Sequence, residues 1–332
     1  FAPKQDLGVL HARFPYAARE EREQRYLEMF GKNAKSRPQK FVLVGTQVLE
    51  QSLDVDFDVM FTDLAPADLV LQRMGRLHRH RRDHRPENLK TPTLYIMYPG
   101  VDETGVPNFD ASAYVYEPYV LLRSWLALKN REKVCVPADL EAIVEEVYGE
   151  EEPAAPSEAF AKALKERRDE YDKNRNEKEK GATRRALPSV RDENFDLSGV
   201  RGLLEEEENP KVAPILQGLT RESKPTLALI CVNVENGIYY FWNEGNKVSL
   251  DLFTSDKPTV ETRALLLKGL VKVSDGDVFV WFTKNVQAPL GWRRDPYLRF
   301  SYPLILQNGK AKAGKINLEL NEDIGLIIST EC

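Results

Sequence analysis

Hydrophobic positions in the first part of the chain come in short, nearly continuous runs separated by amphipathic stretches. Leu7-Gly8-Val9-Leu10-His11, Phe41-Val42-Leu43-Val44, Asp58-Val59-Met60-Phe61-Thr62-Asp63 and Thr93-Leu94-Tyr95-Ile96-Met97 each have the length of a strand. Apolar residues at consecutive positions place hydrophobic side chains on both faces of a strand. That is the pattern of a parallel sheet with helices on both sides. Between the runs, Ala17 to Phe30 has helical spacing, with Tyr26, Leu27 and Phe30 on one face and Gly31 as its stop. A second helix is expected from Ala67 to His80, entered at Pro66.

The pattern then changes twice. Ala111 to Tyr148 is helical, with Leu121, Leu122, Trp125 and Leu128 on one side. Glu150 to Arg185 is dominated by Glu, Lys and Arg after Pro153 and Pro156, which fits a solvated helix or a linker. The acidic run Glu205 to Glu208 fits a solvated turn. From Thr226 onward, Thr226 to Val234, Ile238 to Trp242, Val278 to Phe282 and Ile316 to Leu320 are β-branched or aromatic runs that predict strands. Asn236-Gly237, Asp275-Gly276 and Asn308-Gly309 supply turn signals. The expected class is α/β: a parallel-sheet lobe over residues 1–110, a helical segment and charged linker over 111–220, and a smaller, mostly β domain over 221–332.

Composition narrows the picture. The chain has 332 residues, 42% hydrophobic and 30% charged, enough for two ordinary cores. No apolar run approaches the roughly 20 residues of a membrane span, so no membrane partner is expected. Cys135, Cys231 and Cys332 are scattered, which fits a reducing cytoplasm. The net charge of −5 excludes a uniformly basic nucleic-acid binder, so any such binding must come from local patches. The opening Phe1-Ala2-Pro3-Lys4 has no initiator Met and no signal-peptide pattern, as expected of a piece of a longer chain or of a trimmed one.

Two segments carry candidate chemistry. The first is Gln72-Arg73-Met74-Gly75-Arg76-Leu77-His78-Arg79-His80. On a helix, Arg76 and Arg79 point the same way. Two planar, permanently charged guanidiniums suit a triphosphate, and an arginine finger on a transferred phosphoryl group is worth about 10³–10⁵ in rate. Gln72 can orient water or a phosphate oxygen, and Gly75 allows close backbone packing. A basic helix on a phosphate backbone, or a solvated face, is the plainer alternative.

The second segment runs from Thr46 to Asp56 directly after a buried strand, where α/β folds bind ligands. Thr46 can donate to a nucleic-acid phosphate and Asp54 can accept from a ribose hydroxyl. An ordinary strand–helix connection with Thr46 as its cap explains the same residues. His78, His80 and His84 lie among Arg81, Arg82 and Arg85, and that excess of cations argues against a metal there. The Arg81 to Arg85 stretch fits phosphate contacts or a solvated loop equally well.

Together the two segments resemble motifs V and VI of superfamily-two helicases. Glu50-Gln51-Ser52-Leu53-Asp54-x-Asp56 followed by Gln72-Arg73-x-Gly75-Arg76-Leu77-His78-Arg79-His80 resembles the type I CRISPR helicase–nuclease, the Cas-three family. His11-Ala12-Arg13-Phe14 with the following Arg/Glu-rich helix is similar to that family's motif IV, and Thr262-Arg263-Ala264-Leu265-Leu266 resembles its C-terminal domain. The resemblance implies a second RecA-like motor lobe followed by a C-terminal domain that lids a DNA channel. The parent would be a magnesium- and ATP-dependent 3′-to-5′ translocase on single-stranded DNA, with an HD-type metal nuclease, recruited by a Cascade surveillance complex bearing an R-loop.

It further implies that Gln72, Gly75, Arg76 and Arg79 meet the ATP phosphates, that Asp54 meets the nucleotide, and that Thr46, Gln47 and Arg13 meet DNA. The sequence departs from the whole-motor pattern. It has no Gly-x-x-x-x-Gly-Lys-[Ser/Thr] loop, no Asp-Glu-x-His box for magnesium, and no His-Asp pair in metal-ligand context. The first RecA-like lobe and the nuclease, which would share the ATP, magnesium and nuclease metal, are therefore expected elsewhere in the parent, and negligible ATPase is expected of this chain alone. A stand-alone DNA- or Cascade-binding module and an RNA-directed superfamily-two helicase are the competing readings. If phosphate contacts dominate, rising salt should weaken DNA binding by this chain in a titration; a salt-independent affinity would indicate stacking instead.

Overall fold

The computed structural model describes residues 6–35, 37–51, 53–185, 226–235, 238–240, 247–248 and 257–330. The turn expected at Asn236-Gly237, the acidic run Glu205 to Glu208, and the aromatics Phe241 and Trp242 lie outside them. The chain divides into two compact units. The first comprises residues 1–60, 72–93 and 224–332; the second comprises 61–71 and 94–223.

The first unit opens with a strand–helix–strand arrangement. Strand β1 (Leu7–Leu10) pairs in parallel with β2 (Val42–Gly45), with Leu7 opposite Val42 and Leu10 opposite Gly45. The intervening helix α1 (Tyr16–Phe30) buries Ala18, Tyr26 and Phe30, as its spacing predicts. Gly31 ends it, with its amide donating to the Leu27 carbonyl. Tyr26 and Phe30 pack with Leu10, Leu53 and Val55, and Phe41, Leu43 and Leu49 close around them. Leu43 faces this core, so its neighbours Val42 and Val44 face the other way and are 50% and 54% exposed. The expectation of helices on both faces is thus corrected for β2: the described residues cover one face.

Strands β3 (Val59–Asp63) and β4 (Thr93–Met97) form where expected but pair with each other in a separate two-stranded sheet.

The C-terminal part of the first unit is one mixed sheet of eight strands. Its order is β12 (Gly325–Thr330), β11 (Ile316–Asn321), β10 (Lys310–Ala313), β9 (Ser301–Gln307), β5 (Leu227–Glu235), β6 (Ile238–Tyr240) and β7 (Lys247–Val248), with β8 (Leu270–Val273) also paired to β5. The β5–β9 pairing is parallel, from Ala228 opposite Ser301 to Val234 opposite Gln307. Alternation along β5 feeds two cores. Leu227, Leu229 and Cys231 pack with Val278, Phe282 and Leu304. Ile230 and Val232 pack with Leu266, Trp292 and Leu298.

Two turn signals have different fates. Asn308 and Gly309, at φ 50° and 78°, form the expected turn between β9 and β10. Asp275-Gly276 instead starts a helix, Gly276–Asn285, because the Asp275 carboxylate accepts from the amides of Asp277 and Val278. The run Val278 to Phe282, expected as a strand, is therefore helical. Val278 and Phe282, four apart, are its buried face.

The second unit is built on helices α4 (Pro118–Lys129), α5 (Leu140–Tyr148) and α6 (Glu158–Arg185). Leu121, Leu122, Trp125 and Leu128 are buried, as their spacing predicts, and Trp125 stacks on Phe160 with ring centroids 5.5 Å apart. Ser124 Oγ accepts from the Ala67 amide at 3.0 Å. Arg123, almost wholly buried, donates to the carbonyls of Glu146, Gly149 and Glu151 and so satisfies the C-terminal end of α5. Among the described residues no helix is long and apolar enough to cross a membrane.

Trp292 has no exposed surface and is the largest side chain of its cluster. Trp292→Ala is expected to cost about 3–5 kcal/mol, read as a lowered urea midpoint of unfolding.

Candidate active site

The loop after β2 begins at Gly45, where a Cβ would lie 2.2 Å from Leu49 Cδ1 and 3.1 Å from the Leu10 carbonyl. Glycine lets the chain turn there against the end of β1. The Thr46 amide then donates to the Leu10 carbonyl at 3.3 Å, and the Thr46 and Gln47 carbonyls accept the amides of Leu49 and Glu50. This opens the short helix α2 (Val48–Gln51). Thr46 and Gln47 are exposed. Arg13, also exposed, lies in the loop after β1. Since Leu10 is opposite Gly45, both loops leave the carboxyl ends of adjacent parallel strands. The Arg13 carbonyl accepts the Leu326 amide at 2.8 Å, and Arg22 donates to the Glu322 carbonyl, which docks this turn on the β11–β12 hairpin.

The second segment folds differently from its sequence expectation. Helix α3 spans Ala67–Met74 and stops before Gly75, not at His80. The backbone instead zips onto the chain leading into β3. The Phe57 amide donates to the Arg76 carbonyl at 2.9 Å, and the His78 amide donates to the Phe57 carbonyl at 3.1 Å. Leu77 makes an isolated parallel bridge with Phe57, and His78 takes φ 46°, a conformation that side chains resist. Arg76 and Arg79 therefore do not share a helical face. Their directions are set by this bridge and by the acids that meet them.

Those acids come from the first segment. Arg79 Nε donates to Asp54 Oδ1 at 2.5 Å, and His80 Nε2 lies 3.3 Å from the same oxygen. The hydrogen bond from Arg79 holds the Asp54 carboxyl below the usual carboxylate range. Arg79 also donates to the Gly75 carbonyl. One turn back, the buried Glu50 accepts from Arg73 Nε at 2.7 Å and Nη2 at 2.5 Å, and its carbonyl accepts from Arg76 Nη2 at 2.6 Å. The structure thus brings Asp54, Gly75, Arg76 and Arg79 together. Gln72 stands exposed on the last turn of α3.

Can these residues hold an anion? Burial and the neighbouring Arg79 charge both lower the proton affinity of Arg76, with Asp54 opposing them. Its Nε is buried without a hydrogen-bond partner, as is Nε2 of His78. Two adjacent guanidiniums with one orphaned donor, beside the exposed Gly75, Arg79 and Gln72, fit phosphate oxygens.

Sequence reasoning missed the acids beneath the site. Asp56 has no exposed surface. It accepts from Arg82 Nε at 3.2 Å, from Arg85 Nη2 at 2.7 Å and 2.9 Å, and from the His80 amide. Arg85 also reaches Asp58, Arg82 donates to the Gly31 carbonyl at 2.6 Å, and Arg37 bridges Asp58 and the Asp56 carbonyl. Arg82 and Arg85 are thereby withdrawn from the suggested phosphate contacts, while Arg81 faces solvent. The signal was present in the sequence: acids alternate at Asp54, Asp56 and Asp58, and arginines crowd from Arg79 to Arg85.

Among the described residues no three His, Cys, Asp or Glu side chains converge as metal ligands. A family model described as CRISPR-associated nuclease/helicase Cas3, C-terminal, matches residues 1–82. The CRISPR-associated endonuclease/helicase Cas3 of Thermus thermophilus is 34% identical over 330 residues, covering 96% of this chain and 34% of that protein. The chain is thus similar to Cas3 proteins over nearly its whole length, and its residues 1–82 match their C-terminal family model. A crystal structure titled CRISPR-associated protein superposes with a TM-score of 0.84 at 37% identity, over 98% of this chain and 35% of that one. The T. fusca Cas3-ATP crystal structure gives 0.70 at 27% identity, over 98% and 35%. A chain in a CRISPR RNA-guided surveillance complex, pre-nicking, gives 0.69 at 26%, over 97% and 37%. The chain spans about a third of the length of these Cas3 relatives. The α/β class expected from the sequence, a RecA-like parallel-strand lobe followed by helices and a mostly β domain, is that of the Cas3 structures it matches.

Burial opposes ionisation of Asp56, but the bonds and charge of Arg85 and Arg82 outweigh it and hold its carboxyl below the usual range. A carboxyl depressed in the folded state stabilises above its unfolded pKa of about 3.9, and that contribution is lost as pH falls through the folded value. Urea midpoints should therefore drop below about pH 4, and Asp56→Asn should flatten that acid limb. Asp56→Ala, which leaves Arg82 and Arg85 without their buried partner, should cost about 3–5 kcal/mol at neutral pH.

Proposed function

We propose that this chain is the second motor lobe and C-terminal domain of a Cas3-type enzyme that translocates along single-stranded DNA at the expense of ATP and cuts it. The observation that carries the reading is the joining of the two sequence segments: Asp54 meets Arg79, and Glu50 meets Arg73 and Arg76. A superfamily-two motor needs its finger arginines and its DNA-facing loop on one rigid piece, so that closure over nucleotide moves the grip on DNA. Here the Thr46–Gln47 loop leads straight into Glu50, and Glu50 holds the arginines.

In this assignment Arg76 and Arg79 bind the ATP phosphates, with Gly75 allowing close approach and Gln72 orienting an oxygen. Asp54 accepts from the sugar. Arg79 is bonded to Asp54 in the structure, so engaging a nucleotide requires that this contact be exchanged. Thr46, Gln47 and Arg13 hold DNA phosphates at the carboxyl ends of β1 and β2.

The first lobe of the parent contributes the phosphate loop and magnesium, which neutralises developing phosphate charge. An HD-type domain contributes the nuclease metal. Domain boundaries at residues 1–110, 111–220 and 221–332 follow the motor lobe, its helical extension and the DNA-channel lid. Recruitment by Cascade is supported by the likeness to a chain in a surveillance complex, and nucleotide binding by the likeness to Cas3-ATP.

Arg79→Ala in the full-length parent should lower DNA-stimulated ATP turnover by about 10³-fold or more while single-stranded-DNA binding stays within a few-fold. Normal turnover would remove the finger assignment. The chain alone should be silent in the same assay and gain turnover when the separately produced first lobe is added. Silence of the mixture, with both parts folded, would favour a stand-alone DNA- or Cascade-binding module.

A further inference from the structure

Between Arg293 and Phe300 the first unit carries a strip in which buried and exposed residues follow a three-residue rhythm. Trp292, Asp295 and Leu298 are buried, whereas Arg293, Arg294, Pro296, Tyr297, Arg299 and Phe300 are exposed. The buried residues fix the strip to the domain. Trp292 and Leu298, both fully buried, join the cluster around Ile230 and Val232. Asp295 is gripped by Arg263, whose Nε lies 2.9 Å and 3.1 Å from the two carboxylate oxygens and whose Nη2 lies 2.6 Å from one of them. The other side of that carboxylate accepts the amides of Tyr297 and Leu298 at 2.9 Å and 3.2 Å. The backbone closes the turn, with the Arg299 amide on the Asp295 carbonyl and the Ser301 amide on the Leu298 carbonyl.

The exposed residues are of two kinds in one place. Among the described residues, Tyr297 and Phe300 keep 66% and 47% of their surface open, an unfavourable arrangement for large rings. Each ring has a guanidinium near it: Arg263 lies 4.9 Å from the Tyr297 centroid and Arg299 lies 4.8 Å from that of Phe300. The only acid within the strip is Asp295, neutralised by Arg263, and the exposed Arg293 and Arg294 make the strip locally cationic in a chain whose net charge is −5.

We infer that this strip binds single-stranded nucleic acid, with Tyr297 and Phe300 stacking on bases and Arg293, Arg294 and Arg299 meeting the phosphates between them. Charge complementarity selects a polyanion. The rings select one with exposed aromatic faces, which a single strand offers and a duplex does not. Preorganisation supports the same reading, since the strip is already ordered by Asp295 and two core anchors and loses little freedom on binding. The inference rests on the proposed DNA-facing role of residues 221–332; the strip shares no residue with the Thr46 loop or with the ATP-site assignment.

The test is fluorescence anisotropy of this chain with a fluorescein-labelled oligothymidylate over a salt series. Tyr297→Ala with Phe300→Ala should weaken binding by at least about tenfold, because stacking is worth roughly 1–3 kcal/mol per base. The ring-keeping pair Tyr297→Phe with Phe300→Tyr should restore it. Arg293→Ala with Arg294→Ala should lower the salt slope by about 1.4, at roughly 0.7 per lost phosphate contact on a single strand, whereas the alanine pair at the rings should leave the slope unchanged. All these positions are exposed, so thermal melts should match the parent chain.

Wild-type affinity in the folded ring-to-alanine pair overturns the proposal, as does failure of the unaltered chain to bind the oligonucleotide. Unaltered DNA binding accompanied by loss of a protein partner also overturns it, in favour of a protein-docking surface. The oligonucleotide assay contains no ATP and alters only the strip, whereas the ATP-site reading is tested by turnover, so failure of the one and failure of the other give different results.

Discussion

A carboxylate with no solvent to stabilise it must be surrounded by donors, and Asp56 meets that requirement with two guanidiniums and a backbone amide. Much of the first unit's local geometry follows from this. The chain from His80 to Arg85 has to return across the stretch that enters β3 so that Arg82 and Arg85 can reach inward. In doing so it fixes the exit from the arginine segment and, through the Phe57–Leu77 bridge, the orientation of Arg76 and Arg79. Arg82 extends the same tie to the end of α1 through the Gly31 carbonyl. A buried charge of this kind is poor evidence for net stability, but it specifies one arrangement strongly, because any other leaves Asp56 or its arginines unpaired.

Above that buried layer lies an exposed one with the same signs and a different role. Asp54 is two residues before Asp56 and Arg79 three before Arg82, yet their contact is open to solvent. Screening and competition from water make such a pair weak. The contrast suits the proposed cycle: the inner pairs hold the two segments together permanently, while the outer pair can be exchanged for a nucleotide. Glu50 belongs to the inner layer. It anchors Arg73 through its side chain and Arg76 through its carbonyl, while the buried Nε of Arg76 has no partner among the described residues.

The C-terminal part of the first unit applies the same device elsewhere. Asp295, buried and bound by Arg263, organises a turn whose exposed residues are rings and arginines. In both places an aspartate's demand for donors below the surface determines which cations remain above it. The β11–β12 hairpin also docks on the turn after β1 through Leu326 and Arg13, so that loop is ordered by residues more than 300 positions away in the chain.

What the sequence determined by itself was local. Consecutive apolar residues at Leu7–Leu10 and Val59–Phe61 specify strands, the spacing of Tyr26, Leu27 and Phe30 specifies a helical face, and Asn308-Gly309 specifies a turn that needs positive φ. The two charged segments were legible because their residue types and spacing have few other uses. Tertiary structure decided what depends on partners distant in sequence. Helix α3 ends at Met74 because the next residues find hydrogen bonds on Phe57, a competition that helical propensity does not register. Val278 to Phe282 is a helix because Asp275 caps it and the sheet buries its i, i+4 face, although its residue types favour strands equally. Arg79 and Arg82 look alike in sequence, and only burial separates them: a charge deep in the fold must be paired at once, while one at the surface is free to wait for a ligand.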